Sequence, residues 1–583
     1  MHLKSGKLGL SAVLIAGAMM FAPLSAQAQD GGLDFGDEGS TENSAAAEGS
    51  GSGLDFGSEG GGASTTTAPA VIDTSSGAYA NYTQAQAMIE SGNYIQAAQL
   101  LNDTIAAGDS ASVGMSAQLH YELGRALYEA KYYQSALNHF DMVVSQGPSS
   151  KEFDLALNYL VLIGRVLPGE PRRYARIYEN YLDKFPAEVP AALTSEVGYL
   201  LAMAAYRESK LDDVVFFVGS VAQDSPLYPK SRYLEGVTYV RQNKGQPALD
   251  SFKEVLRWLD TKSTSAEGLT KEESRLREYT YAALARVFYQ VGSTLWKMGE
   301  REKAANSWST SIKYYNAFSR DSRMWLDALF EASWAYYRVD NFGKALGLLL
   351  TLNSPYFSDK YYPEARLLQA TIYYTNCHYD RVVDILADYK ATYDPMKKQV
   401  DTLVSRLFQP EEVYDFLHMV QNADRESYDP TLQLILEASV QDRELRRGLA
   451  YIDMLDDEKA TIQKDPTLSG SSLGQTMVQE LEAARMLSVV EAGKKGKSRL
   501  ERLQEELRDL SNRALDIEIE TTEKYAARVE LMEQDPNALL EFERQVDEVM
   551  GADDEHLFWK FDGEYWKDEL GYYWYYISSR CGR

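Results

Sequence analysis

The stretch from His120 to Pro148, HYELGRALYEAKYYQSALNHFDMVVSQGP, has the pattern of two short helices joined by a tight turn. Its first half places Leu123, Gly124 and Leu127 on one helical face, because residues three or four apart lie above one another on a helix. Its second half carries an aromatic wedge, a small contact residue, a packed ring and a proline at the exit: Tyr133, Ala136, Phe140 and Pro148. The stretch therefore predicts a helix pair whose two helices cross closely.

The same pattern returns between residues 77 and 400. A small residue marks the second helix of each clear copy: Ala97, Ala136, Ala248, Ala304 and Ala345. Another small residue precedes each of these on the first helix: Ala85, Gly124, Gly236, Gly292 and Ser333. Weaker copies centre near Tyr174, Val214 and Val382 and bring the total to about eight pairs. This period is typical of tetratricopeptide repeats and predicts an all-α, right-handed solenoid in which each pair packs on its neighbours.

Helices continue beyond residue 400, but the repeat register is lost. Steps of three and four define a heptad seam: Leu500, Leu503, Leu507, Leu510, Ala514 and Ile517. Its phase then slips to another set: Leu515, Thr522, Tyr525, Val529 and Met532. An earlier stripe is separated from the seam by the stretch EAGKKGKS, residues 491–498: Met477, Leu481, Ala484 and Leu487. We expect an antiparallel, coiled-coil-like hairpin within residues 401–550, turning at that stretch. An intermolecular coiled coil is the alternative.

The first residues have the pattern of a secretory signal. Lys4 and Lys7 precede a short apolar run, and small residues at Ala26 and Ala28 follow it. We expect residues 1–28 to be cleaved and the mature protein to lie in the periplasm without a stable membrane span. A retained anchor is the alternative, but the run is short and contains Pro23.

Residues 29–76 form an acidic, low-complexity leader that has too few apolar residues to form a core and is expected to be disordered. The motif GLDFG occurs twice within it. Its apolar and acidic residues make a candidate docking motif: Leu33, Asp34, Phe35, Leu54, Asp55 and Phe56. Duplication without function is an equal alternative.

The charge and the motifs exclude several classes of function. The formal net charge is −27, which argues against nucleic acid as a partner because phosphate backbones are bound by clustered basic residues. The six histidines form no metal-ligand spacing, and no catalytic, cofactor-binding or metal-binding motif is present. We expect no enzyme activity, no cofactor and no small-molecule ligand. The sequence leaves the oligomeric state open.

Residues 551–583 are rich in aromatic side chains. The stretch YYWYYIS, residues 572–578, predicts a strand with Tyr572, Trp574 and Tyr576 on one face, and both faces are apolar enough to be covered. We expect a structural clasp that closes the end of the repeat array. A ligand platform formed by Tyr565, Trp566 and Trp574 is the alternative.

Two segments carry a resemblance to a known family. SPYFSDKYYPEARLLQATIYYTNCHYDRVV, residues 354–383, and FDGEYWKDELGYYWYYISSRC, residues 561–581, resemble the periplasmic tetratricopeptide proteins of myxobacteria, including the one of the adventurous gliding motility machinery. The resemblance implies a non-catalytic component that holds parts of an envelope complex together.

The two cysteines of the chain lie in these two segments. Cys377 lies at a turn between repeat helices, and Cys581 lies near the end of the chain. Disulfides persist in the periplasm, so we expect the two to pair, with single thiols as the alternative.

Taken together, the sequence predicts a periplasmic scaffold that binds other envelope proteins, in a gliding complex or another assembly. Binding of envelope polysaccharide or peptidoglycan is the alternative function.

Overall fold

The computed structural model describes residues 74–146, 150–164, 166–167, 182, 185–187, 189, 191–265, 268–407, 409–422, 429–440, 442–534 and 563–581. All regular secondary structure in these ranges is helical. The first helices are α1 Gly77–Glu90, α2 Tyr94–Ala107, α3 Ser110–Gly114, α4 Ser116–Glu129, α5 Tyr133–Ser145, α6 Glu152–Ile163, α7 Thr194–Arg207, α8 Leu211–Val218, α9 Tyr228–Arg241 and α10 Gly245–Ser263. They are followed by α11 Lys271–Lys297, α12 Arg301–Tyr315, α13 Trp325–Arg338, α14 Phe342–Leu352, α15 Pro363–Thr375, α16 Tyr379–Arg406, α17 Pro410–Asn422, α18 Pro430–Val440, α19 Arg443–Lys464 and α20 Ser472–Gln534.

The chain divides into two compact units. Within the described residues, the N-terminal unit comprises the part of the chain up to Ser231 together with Arg447–Val489, and the C-terminal unit comprises Arg232–Arg446 together with the part from Val490 onward. This division cuts through both the predicted solenoid and the predicted hairpin region, because distant segments of the chain pack together in each unit.

The predicted repeats are present as consecutive helix pairs. Seven complete pairs are described: α1–α2, α4–α5, α7–α8, α9–α10, α11–α12, α13–α14 and α15–α16. The copy near Val214 is α7–α8, and the copy near Val382 is α15–α16. Helix α6 begins the copy near Tyr174; Tyr174 itself and Pro148 lie outside the described residues.

Each of the seven pairs turns in the same way. One residue in the left-handed backbone region lies two positions before the second helix: Gly92, Lys131, Ser209, Asn243, Gly299, Asp340 and Cys377. This conformation lets the chain reverse within a few residues, and glycine adopts it without the steric cost that a Cβ brings. Five of the seven positions nevertheless carry a side chain, so the turn is set by the packing of the two helices.

Glycines and rings form the closest contacts within the pairs. A Cβ on Gly124 would lie 2.9 Å from the ring of Phe140, and one on Gly236 would lie 2.6 Å from the ring of Phe252. Trp308 covers Gly292 in the same way. The marker alanines of the second helices are fully buried: Ala97, Ala136, Ala248, Ala304 and Ala345. The small residues therefore lie where the repeat pattern requires them, and the all-α solenoid is confirmed.

Two histidines also lie inside a repeat contact. Nδ1 of His120 on α4 lies 3.1 Å from Nδ1 of His139 on α5, and the two rings are stacked. Burial, with a smaller contribution from His120, lowers the pKa of His139 to about 3, and burial also lowers the pKa of His120. The pair therefore packs in its uncharged form.

A partly buried ion pair joins neighbouring repeats of the C-terminal unit. Arg286 on α11 donates two hydrogen bonds to Glu331 on α13, at 2.8 and 2.6 Å, and the hydroxyl of Tyr315 on α12 donates to the same carboxylate at 2.7 Å. Burial opposes the charged guanidinium, but the Glu331 carboxylate outweighs it and raises the pKa of Arg286. The two charges are paired, and the Glu331 carboxylate accepts three hydrogen bonds. This contact therefore fixes the register between the helix pairs.

The antiparallel hairpin of this region is formed by α19 and α20, and not by the two stripes that were predicted to face each other, because both stripes lie on one helix. Helix α20 runs without interruption for 63 residues, through the stretch 491–498 where we expected the turn. The reversal is made by residues 465–471, between α19 and α20. Within the N-terminal unit, Lys459 pairs with Glu482 and Asp456 pairs with Arg485, both at 2.7 Å, which gives the antiparallel register.

The glycines of the misassigned turn serve a helix crossing. A Cβ on Gly493 would collide with the carbonyl oxygen of Pro410, and one on Gly496 would lie 2.5 Å from Leu417. Both neighbours belong to α17 in the C-terminal unit. Glycine lowers helix propensity by about 1 kcal/mol relative to alanine, but here it permits an approach that no other residue allows.

The heptad seam of α20 is buried within the C-terminal unit. Its members are almost fully covered: Leu500, Leu503, Leu507, Leu510, Ala514 and Ile517. Lys390 and Asp401 of α16 pair with Glu518 and Arg508 of α20, so the two helices run antiparallel. The seam is therefore intramolecular.

Candidate functional site

A disulfide holds the end of the chain against the last repeat. The sulfurs of Cys377 and Cys581 are bonded at 2.08 Å across a sequence separation of 204. Cys377 occupies the left-handed position of the α15–α16 turn, with φ of 60°. The guanidinium of Arg528 on α20 donates to the carbonyl of Cys377 at 2.9 Å. The predicted pairing is thus present, and a third element fixes the turn that carries it.

We call residues 563–581 the C-terminal segment. Next to the disulfide, the amide of Arg580 donates to the carbonyl of Asn376 at 2.9 Å. Nε2 of His378 donates to the carbonyl of Ser578 at 2.7 Å, which defines its tautomer. These bonds hold the last residues of the segment along the α15–α16 turn.

Further from the disulfide, the segment runs antiparallel to α14. The amide of Tyr575 donates to the carbonyl of Gly343 at 3.0 Å, and the amide of Gly571 donates to Oγ1 of Thr351 at 2.8 Å. Arg320 donates to the carbonyls of Lys567 and Asp568 at the start of the segment. Polar bonds therefore fix the segment along its length.

Two glycines of α14 make room for this backbone. A Cβ on Gly347 would collide with the carbonyl of Tyr573, and one on Gly343 would collide with the indole of Trp574. The sequence analysis used Ala345 between them and missed both. Their spacing of four residues, which puts them on one helix face, was the available signal.

Residues 567–572 of the segment form turns, and residues 573–580 form no strand. No described residue pairs with them in a ladder, so the predicted strand is wrong in that respect. The predicted alternation is present, because Tyr573, Tyr575 and Ile577 face the repeats and are half-buried. Tyr575 meets Tyr373 of α15 edge to face, with ring centroids 6.2 Å apart.

The opposite face of the segment remains open to solvent. Tyr572 is 70% exposed, Trp574 is 73% exposed, and Tyr576 and Trp566 are each more than half exposed. The repeats therefore cover only one of the two faces that were expected to be covered. We call these four side chains the ring surface.

The predicted platform residues fall into two groups. Trp566 and Trp574 belong to the ring surface, whereas Tyr565 is half-buried and meets Tyr573 edge to face at 6.4 Å. The Arg320 guanidinium lies 5.9 Å from the ring centroid of Tyr572. The surface therefore combines exposed rings with the neighbouring cation of Arg320, on a backbone anchored at both ends.

Other predicted features lie elsewhere. Both copies of GLDFG, with Leu33, Asp34, Phe35, Leu54, Asp55 and Phe56, and the signal-like residues 1–28 lie outside the described residues. Within the described ranges, no group of three or more His, Cys, Asp or Glu side chains is placed to hold a metal ion. Every helix in those ranges is too short or too polar to cross a bilayer.

No protein-family model matches the chain, and no curated protein matches its sequence. Among solved structures, it is similar to the crystal structure of the yeast Tom70, with 12% identity over 81% of this chain and 99% of that chain and a TM-score of 0.19. It is also similar to the structure of Naa15/Naa10 bound to HypK-THB, with 11% identity over 79% of each chain and a TM-score of 0.16. Because these scores are low, we assign the fold from the helix pairs themselves: an all-α solenoid of the tetratricopeptide type.

Proposed function

We propose that this protein is a non-catalytic scaffold of the periplasm that binds other envelope proteins. The observation that carries the proposal is the ring surface, held on a repeat array by a disulfide and by backbone hydrogen bonds. Tyrosine and tryptophan are enriched at protein interfaces because they bury a large area at a small cost in side-chain entropy. A segment fixed before binding loses little further entropy when a partner arrives.

The compartment is part of the proposal. The signal-like start supports export, and the disulfide is the kind of bond that persists in an oxidising compartment. The resemblance to the gliding motility component makes that machinery the first assembly to examine.

The test is crosslinking in intact cells followed by co-purification. We expect envelope proteins to be recovered with the native chain, and the recovery to fall with a triple variant of Tyr572→Ser, Trp574→Ser and Tyr576→Ser. Phe216→Ser, which changes an exposed ring of the N-terminal unit, is the matched control. Recovery of the chain alone, or equal recovery with the triple variant, would overturn the proposal.

A second candidate function is binding of envelope polysaccharide or peptidoglycan. The exposed indoles of Trp566 and Trp574 favour it, because flat ring faces can stack on sugar rings. Co-sedimentation with isolated peptidoglycan would then fall for Trp566→Ala and Trp574→Ala. If sedimentation is unchanged while protein crosslinks are lost, the scaffold function is supported over this one.

A further inference from the structure

Helix α20 carries a second apolar stripe on a different face from its buried seam. At 100° per residue, five residues fall on this face: Leu515, Ile519, Thr522, Ala526 and Val529. Leu515 and Ile519 are each 49% exposed, and the other three are also exposed. We call these five residues the outer stripe.

One apolar face is enough to attach a helix to its own protein. For α20 that face is the seam, since Leu507, Ala514 and Ile517 are buried. The same turns of the helix then present leucine, isoleucine and valine to solvent. A surface helix normally carries polar residues there, so the outer stripe is the pattern of a helix with a second partner.

The charges beside the outer stripe define what that partner can be. Asp516, Glu523 and Glu530 recur at intervals of seven along one edge, and all three are exposed. Residues seven apart lie nearly above one another on a helix, so the three carboxylates form a row. A partner seated on the stripe would therefore meet three negative charges along one side.

The nearby basic residues do not neutralise this row. Lys524 lies about 100° further round the helix. Arg528 lies on the face of the seam, where its guanidinium donates to the carbonyl of Cys377 at 2.9 Å. On the other edge of the stripe, Glu518 is already paired with Lys390 at 2.6 Å. The surface offered to a partner is therefore an apolar stripe with an acidic flank.

A second copy of this chain fits that surface poorly. In heptad terms Ile519 and Ala526 occupy a positions, and the carboxylate row occupies e positions. In an antiparallel pair e residues face e residues, so carboxylates would oppose carboxylates. In a parallel pair they would face g positions, where Glu523 would meet Glu518. Either arrangement brings like charges together, which disfavours self-association.

We propose that the outer stripe binds an amphipathic helix of a partner protein that has an apolar face flanked by lysine or arginine. The apolar side chains supply the contact area, and the basic flank pairs with the row Asp516, Glu523 and Glu530. This inference rests on the proposed scaffold function, because it gives the chemistry of one of its protein partners.

The test uses two synthetic helical peptides with the same leucine stripe, one with lysine flanks and one with glutamate flanks. Binding to the full oxidised chain is followed by fluorescence anisotropy. We expect the lysine peptide to bind at least tenfold more tightly than the glutamate peptide. The double variant Glu523→Lys and Glu530→Lys should reduce or reverse that preference.

Ile519→Asp separates the stripe from general attraction to an acidic protein. The substitution adds negative charge, so binding driven by charge alone would strengthen, whereas binding at the stripe should fall at least tenfold. Met486→Asp, at an exposed site of the same helix outside the stripe, is the matched control. Thermal unfolding should be the same for both variants.

Three results would overturn the inference: equal binding of the two peptides, no binding of either, or unchanged binding by Ile519→Asp. A dimer in sedimentation analysis that Ile519→Asp dissociates would assign the stripe to a second copy instead. The triple variant of the ring surface should bind the lysine peptide normally, so this test and the co-purification can fail independently.

Discussion

Two regions of the molecule use glycine to bring chain segments together, and they differ in what lies against the glycine. Within the repeats, Gly124, Gly236 and Gly292 each lie beneath an aromatic side chain sixteen residues further along the chain. On α14, Gly343 and Gly347 lie beneath the backbone and the indole of a segment more than 220 residues away. The first contact is local and recurs, whereas the second is distant and is held by a covalent bond.

The largest effect is expected from breaking that covalent bond. Cys581→Ser should lower the free energy of unfolding of the C-terminal unit by about 2–5 kcal/mol, because a disulfide across a long loop restricts the unfolded chain. Urea unfolding of the oxidised protein, compared with the variant, measures the difference.

Reductant is the control for this comparison. Reductant should lower the free energy of unfolding of the native protein and leave that of the variant unchanged. Equal midpoints for the native and variant proteins would mean that the hydrogen bonds alone hold the segment.

A substitution inside a repeat contact should come next. Gly236→Val would push against the fully buried ring of Phe252 and should cost about 1–3 kcal/mol through overpacking. Gly245→Ala is the matched control, since its Cβ would meet Val291 at an ordinary 3.8 Å. If urea midpoints are the same for both variants, the repeat contact is looser than the structure indicates.

Acid should weaken the repeat contact of the N-terminal unit. The pKa of His139 is about 3 in the folded protein, below its ordinary value of 6.5, so between these values the unfolded chain binds a proton that the folded chain does not. The contribution to stability is therefore complete well above pH 6.5 and is lost as the pH falls, by about 1.4 kcal/mol at pH 5.5.

His139→Gln should make the unfolding free energy less sensitive to pH between 7.5 and 5.5. Denaturant titrations at the two pH values test this. An identical pH dependence in the native protein and the variant would show that the pair is protonated in the fold.

The smallest change in stability is expected at the contact between α14 and the C-terminal segment. Gly347→Ala introduces a Cβ against the carbonyl of Tyr573, but alanine also favours the helix by about 1 kcal/mol. Unfolding should shift little, while hydrogen exchange at the amide of Tyr575 should accelerate because its bond to Gly343 is lost. In the control Gly245→Ala, hydrogen exchange at this amide should stay slow. If it also stays slow in Gly347→Ala, the result counts against the backbone contact.

The sequence was informative wherever a contact is local and repeated. The markers from Ala97 to Ala345 predicted the helix pairs because every copy meets the same steric requirement. The alternation of Tyr572 to Ile577 followed from the period of an extended chain, which holds without a neighbouring strand.

Distant contacts could not be predicted in the same way. Gly493 and Gly496 were interpreted as a turn because glycine usually disfavours helix, and only the position of α17 shows that they permit a crossing. Gly343 and Gly347 were missed because their partner is an extended segment with no periodic relation to the repeats. The exposure of the ring surface could not be predicted either, because it depends on which side chains of the C-terminal segment the repeats cover.

The left-handed position in the repeat turns gives the molecule a set of chemically addressable sites. Cys377 shows that this position can carry a covalent bond without disturbing the helices on either side. In the same unit, Asn243 and Asp340 occupy the equivalent position. A cysteine introduced at either residue would accept a fluorophore or crosslinker at a defined repeat, so the position of a bound partner could be mapped along this part of the array.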